Sequence, residues 1–144
     1  MPHRSVGRYM TTAHLYSCAP DTTVRAAVQT MSARDIGCVL VVEDEQLVGI
    51  LSEGDVLKRV IAPGHDADRL SVRDVMTRTP DTVRPQQSVN DAIRMMNEFG
   101  YRHLPVVDEG RICGVMTMKD CELDDLAAMA NELVMRQTFA ERAW

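Results

Sequence analysis

Apolar residues recur along the chain in two arrangements, and each arrangement appears twice. At Val24, Ala27, Val28 and Met31 they fall three and four apart, and the same spacing returns at Val89, Ala92, Ile93 and Met96. That is the spacing of one face of a helix, so both segments are predicted helical. Each stripe is followed by two short apolar runs, Cys38–Val42 and Leu47–Leu51 in the first case, His103–Val107 and Ile112–Met116 in the second. Runs of this length, joined by the polar turns Glu43–Gln46 and Asp108–Arg111, predict paired strands. A second helix opens at Ser52 and again at Thr117. A short extended piece ends at Pro20 or Pro85 ahead of each first helix. In the second copy, Ser88 to Asp91 reads as a capping box at the helix start.

The two arrangements are copies of one unit. Val24 and Val89, Met31 and Met96, Val42 and Val107, Gly49 and Gly114, and Asp55 and Asp120 are all separated by 65 residues. Pro20 and Pro85 keep that offset, whereas Met10-Thr11 answers Met76-Thr77 at 66. A shared offset over so many positions marks a repeated small domain rather than the short period of a solenoid. The stretch 63–70, with Pro63, Gly64, Asp66 and Asp68, reads as the linker between them.

Composition narrows the class. The chain has 144 residues, a net charge of -5 and 45% hydrophobic residues, enough for a core and against disorder. No apolar run approaches the roughly 20 residues that span a bilayer. The start, Met1 to Tyr9, has no apolar core of the signal-peptide kind. None of Cys18, Cys38, Cys113 and Cys121 lies in a C-x-x-C pair, which speaks against a zinc or thioredoxin-type site and for a reducing cytoplasm. The acidic balance gives no electrostatic reason to expect nucleic acid. His3, His14 and His65 are scattered, so no metal site is expected.

Met76-Thr-Arg-Thr-Pro80-Asp-Thr-Val83, Tyr101-Arg-His-Leu-Pro-Val-Val-Asp108 and Gly114-Val-Met-Thr117-Met-Lys-Asp120 resemble the second half of a CBS domain pair. Asp35 to Val42 and Gly49-Ile-Leu-Ser52-Glu-Gly-Asp55 are similar to the first half. The resemblance implies an α/β fold of two β-α-β-β-α repeats about a pseudo-twofold axis, repeat 1 over 6–62 and repeat 2 over 71–125. A helix and tail over 126–144 follow. It also implies a stand-alone regulatory module that binds an adenosine-containing ligand such as AMP, ADP or ATP in a cleft between the repeats. A homodimer and a regulated protein partner of unspecified identity go with it. No enzyme, resident cofactor, membrane or nucleic acid is expected. An adaptor that dimerises without a small ligand is the alternative.

The motif Ser/Thr-x-x-Asp occurs as Ser52–Asp55 and Thr117–Asp120. It carries two readings. One is a helix cap. In the other, the carboxylate accepts both ribose hydroxyls and the helix start faces phosphate. The resemblance pairs Ser52 and Asp55 with Pro80, Asp81, Thr82 and Val83 and with Arg102 and His103, the last two supplying charge-assisted bonds to phosphate. It pairs Thr117, Lys119 and Asp120 with Leu15, Tyr16 and Ser17 and with Gly37 and Cys38, a weaker cleft with no basic pair. The tail stripe Leu123, Leu126, Met129, Ala130 and Leu133 needs a partner surface, which motivates the homodimer.

Overall fold

The computed structural model describes residues 4–12 and 15–118. The tail stripe, Lys119 and Asp120 lie outside the described residues. The helices are α1 (Val6–Tyr9), α2 (Val24–Arg34), α3 (Glu53–Val56), α4 (Val72–Val75) and α5 (Val89–Phe99). The strands are β1 (Ser17–Cys18), β2 (Cys38–Glu43), β3 (Gln46–Ser52), β4 (Thr77–Arg78), β5 (His103–Asp108) and β6 (Arg111–Thr117).

Local chemistry explains the helix ends. The Thr23 hydroxyl accepts from Ala26 N–H, and the Ser88 hydroxyl accepts from Asp91 N–H. These bonds satisfy donors that every helix start leaves without an internal partner. α5 stops where Gly100 takes φ 75°, and α2 stops at Asp35 with φ 53°. α3 runs on into a wider turn over Leu57–Ile61, in which Ala62 N–H reaches back five residues to Leu57 O.

The two copies exchange their first strands. β1, β2, β3 and β4 form one sheet, in which β1 runs parallel to β2 and the remaining neighbours are antiparallel. β4 belongs by sequence to the second copy, yet it completes the sheet of the first. The reverse exchange occurs at Thr11, which bridges Val115 of β6, while Val83 bridges Val106 of β5. Main-chain bonds repeat the symmetry: Gly7 N–H donates to Pro85 O, and Arg73 N–H donates to Pro20 O. A pseudo-twofold relation between the copies follows.

Three apolar clusters result. One holds Val24, Met31, Val39, Val41 and Leu51 together with Val72 and Val75 of the other copy. Its counterpart holds Val89, Met96, Leu104, Val106 and Met116 together with Val6. Between them lie Cys38, Leu40, Ile50 and Val115. β2 is buried on both faces, which explains its unbroken apolar run. The linker is not idle, because Ala67 and Leu70 pack on the first cluster and their carbonyls accept from Arg25 and Val24 N–H.

Candidate ligand cleft

Ser52 ends β3 and starts α3. Its hydroxyl accepts from Asp55 N–H at 3.2 Å, and Asp55 Oδ2 accepts from Ser52 N–H at 3.1 Å. The capping reading is therefore realised in full. It leaves the carboxylate with spare capacity, since an ionised carboxylate offers about four acceptor sites. The Thr77 hydroxyl, from the exchanged β4, donates to the same carboxylate at 3.3 and 3.4 Å. Asp55 thus stands where a helix of one copy meets a strand of the other, with its side chain 14% exposed.

From Thr77 the chain crosses to the other sheet. Thr79 adopts φ 45°, a left-handed conformation that a β-branched residue takes only at a cost. Asp81 accepts from the Tyr101 hydroxyl at 2.8 Å, and that bond holds the Tyr101 phenol above its ordinary pKa. Val83 then docks on β5 through Val83 N–H to Pro105 O and Val107 N–H to Val83 O. The segment 77–83 is therefore tied at Asp55, at Tyr101 and at β5.

The start of β5 faces the start of β2. A Cβ added to Gly37 would stand 2.8 Å from both His103 Nε2 and Glu53 Oε1. Gly37 is needed there because the histidine ring and the glutamate occupy the space of any side chain. His103 and Cys38 hold equivalent places on the face between the copies. Burial, and secondarily the Glu53 charge, pushes the Cys38 thiol up to about 12. A thiol raised on folding favours the folded state fully below its ordinary value of 9.0, and that contribution fades as pH rises toward about 12. Denaturation midpoints at about pH 8 and about pH 11 should show a smaller alkaline loss for Cys38→Ala than for the wild type. Equal losses would show that Cys38 ionisation does not contribute.

The chain matches the CBS domain over residues 6–62 and 72–121. It belongs to the CBS domain family. The Meiotically up-regulated gene 70 protein of Schizosaccharomyces pombe is 32% identical over 141 residues, which cover 90% of this chain and 19% of that protein. YhcV, a CBS domain-containing protein of Bacillus subtilis, is 29% identical over 116 residues, covering 81% of this chain and 82% of that one. The chain spans 53% and 52% of two further relatives, from Methanopyrus kandleri and Arabidopsis thaliana. Among solved structures, the CBS domain NE2398 superimposes with a TM-score of 0.79 at 30% identity, over 85% of this chain and 98% of that one. The structure of CBSX2 in complex with AMP gives 0.74 at 27% identity, over 86% and 97%.

The CBS pair brings some predicted site residues together and separates others. Ser52 and Asp55 are bonded to each other, and Asp55 is bonded to Thr77, which leads into the segment through Pro80, Asp81, Thr82 and Val83. Arg102 is exposed, and among the described residues its side chain makes no hydrogen bond or ion pair. The sequence reading put His103 in one cleft and Gly37 and Cys38 in the other. The structure adds that His103 meets Gly37, so the two strand starts adjoin. In the hairpin register Cys38 lies opposite Ser52 and His103 opposite Thr117.

Tyr16 and Ser17 line an open groove along α2 with Thr22, Gln29, Thr30 and Arg34, a groove that includes neither Thr117 nor Gly37. Leu15 packs on the cluster between the copies, and the Arg34 guanidinium lies 4.4 Å over the Tyr16 ring. Sequence reasoning missed Thr77, Glu53 and Arg59. The six-residue spacing of Thr77 from Val83 was visible, but its partner Asp55 is 22 positions away and only the exchange of strands joins them. Among the described residues no cluster of His, Cys, Asp and Glu could hold a metal ion. No described helix is long and apolar enough to cross a membrane.

Proposed function

We propose that this CBS pair is a regulatory module that binds a phosphorylated adenosine ligand in the cleft between Asp55 and the segment 77–83. The observation that carries the reading is the Asp55 carboxylate, fixed by Ser52 and Thr77 and still open to solvent. Two vicinal ribose hydroxyls are donors of the right geometry for such a carboxylate. The CBSX2 structure with AMP supports the ligand class. Arg102, exposed just before β5, is the group that would meet phosphate, with His103 as a second donor. The cleft that the repeat assigns by sequence to Thr117, Lys119 and Asp120 is the weaker one in this reading.

The reading includes no catalysis. Among the described residues, the groups hydrogen-bonded to the Asp55 carboxylate are those of its cap and Thr77, with no activated nucleophile among them. It also includes a homodimer, supported by Leu57 and Ile61, which are 60% and 61% exposed one helical turn apart. The alternative, an adaptor without a small ligand, shares that apolar surface but gives Arg102 nothing to do.

A thermal-shift panel of AMP, ADP, ATP and S-adenosylmethionine tests the ligand. One of them at 100 times its dissociation constant should stabilise the fold by about 2.7 kcal/mol. ATP should be recovered intact after incubation, and light scattering should read a dimer mass. A panel with no shift at millimolar concentration favours the adaptor.

A further inference from the structure

Arg59 lies outside every ligand contact argued above, yet it ties the cleft together. It sits in the turn Leu57–Ile61, four residues after Asp55. Its Nη1 donates to Val75 O at 3.0 Å and to Met76 O at 2.9 Å. These carbonyls close α4, where a helix end leaves acceptors without internal partners. The same Nη1 is 4.0 Å from Asp55 Oδ1, too far for a hydrogen bond but close enough to favour the ionised carboxylate's position.

The consequence falls on Thr77. Met76 O and Thr77 N belong to one planar peptide, so fixing the carbonyl fixes the direction in which Thr77 leaves it. Thr77 in turn donates to both carboxylate oxygens of Asp55. Arg59 therefore sets the peptide, the peptide sets the hydroxyl, and the hydroxyl sets the carboxylate. Two elements of different copies are locked by one guanidinium. The repeat does not preserve this device, because the residue 65 positions after Arg59 is Asp124, an acid in place of the base.

We propose that Arg59 is the positioning residue that presents the Asp55 carboxylate to the ribose hydroxyls, and that it distinguishes this cleft from its pseudo-symmetric counterpart. The inference rests on the ligand reading given under Proposed function. It predicts that Arg59 acts on ribose recognition alone.

The test is calorimetric titration of the full chain with AMP and with 2′,3′-dideoxyadenosine monophosphate, which lacks both hydroxyls. The wild type should prefer AMP by about tenfold or more, the worth of about 1.4 kcal/mol. Arg59→Gln should lose about that factor for AMP while its affinity for the dideoxy compound stays unchanged. Arg59→Lys, which can still offer one nitrogen to two carbonyls, should recover part of the preference. Asp55→Asn supplies the reference. If Asp55→Asn abolishes the preference while Arg59→Gln keeps it, the Arg59 proposal is overturned and the ligand reading stands. If Arg59→Gln weakens both compounds alike, its role is general support of the fold and the proposal is overturned too. A wild type that binds both compounds equally overturns the ribose role of Asp55, and the Arg59 proposal with it.

Discussion

Replacing Leu40 with alanine is expected to lower the stability of the fold by about 3–4 kcal/mol, within the range for buried leucines truncated in well-packed cores. Leu40 is 1% exposed and lies with Cys38, Ile50 and Val115 in the cluster between the copies. Both sheets flank it, so neither can close over the space without moving against the other. A domain of this size is stable by only about 5–15 kcal/mol, so the loss is a large fraction of the total. Leu57→Ala is the control. That side chain is 60% exposed, and its removal should change the monomer's stability by about 0.5 kcal/mol or less. Urea denaturation at a protein concentration low enough to keep the chain monomeric reads both values. A Leu40→Ala loss below about 1 kcal/mol would mean that the copies do not share a packed core.

Removing the Asp55 carboxylate should have the largest effect on ligand affinity. Asp55→Ala deletes the acceptor proposed for the ribose and half of the reciprocal cap on α3. A hydrogen bond to a charged group contributes about 1.5–3 kcal/mol, which corresponds to roughly a tenfold to hundredfold weaker binding of AMP. The lost cap should also cost about 1 kcal/mol of stability, so the variant remains folded and its binding can be read. Arg102→Ala should weaken AMP by a similar factor through loss of the countercharge, without the cost to the cap. Asp120→Ala, at the repeat counterpart of Asp55, should leave high-affinity binding in place. Calorimetric titration of the three variants decides the matter. If Asp120→Ala abolishes binding while Asp55→Ala and Arg102→Ala bind normally, the ligand occupies the other cleft.

How much of the site could be read from sequence depends on how far apart its parts lie. Ser52 and Asp55 are three residues apart, and a helix cap is a local structure, so their mutual bonds follow from the motif itself. Asp81 and Tyr101 are 20 residues apart, and nothing in either segment announces their bond. Nothing in the sequence around Arg59 singles it out. Its bonds to Val75 and Met76 exist only because α4 and β4 are delivered against the first copy's sheet. The meeting of His103 with Gly37 was hidden for a related reason. The repeat shows which residues correspond, but correspondence does not say which of them touch across the symmetry axis.

The sequence by itself determined the repeat, the strands of both hairpins, the helices α2 and α5 and the Ser88 cap of α5. All of these rest on periodicity, turn chemistry and capping, which act over a few neighbouring residues. The tertiary structure decided the exchange of β4 and Thr11 between copies, the approach of both His103 and Glu53 to Gly37, and the bonds of Arg59 to Val75 and Met76. A strand edge can be covered by any segment of suitable pattern, and β4 is only two residues long. Its place was settled by the burial of Val72, Val75 and Met76 in the first copy's core, a choice made between residues distant in the chain.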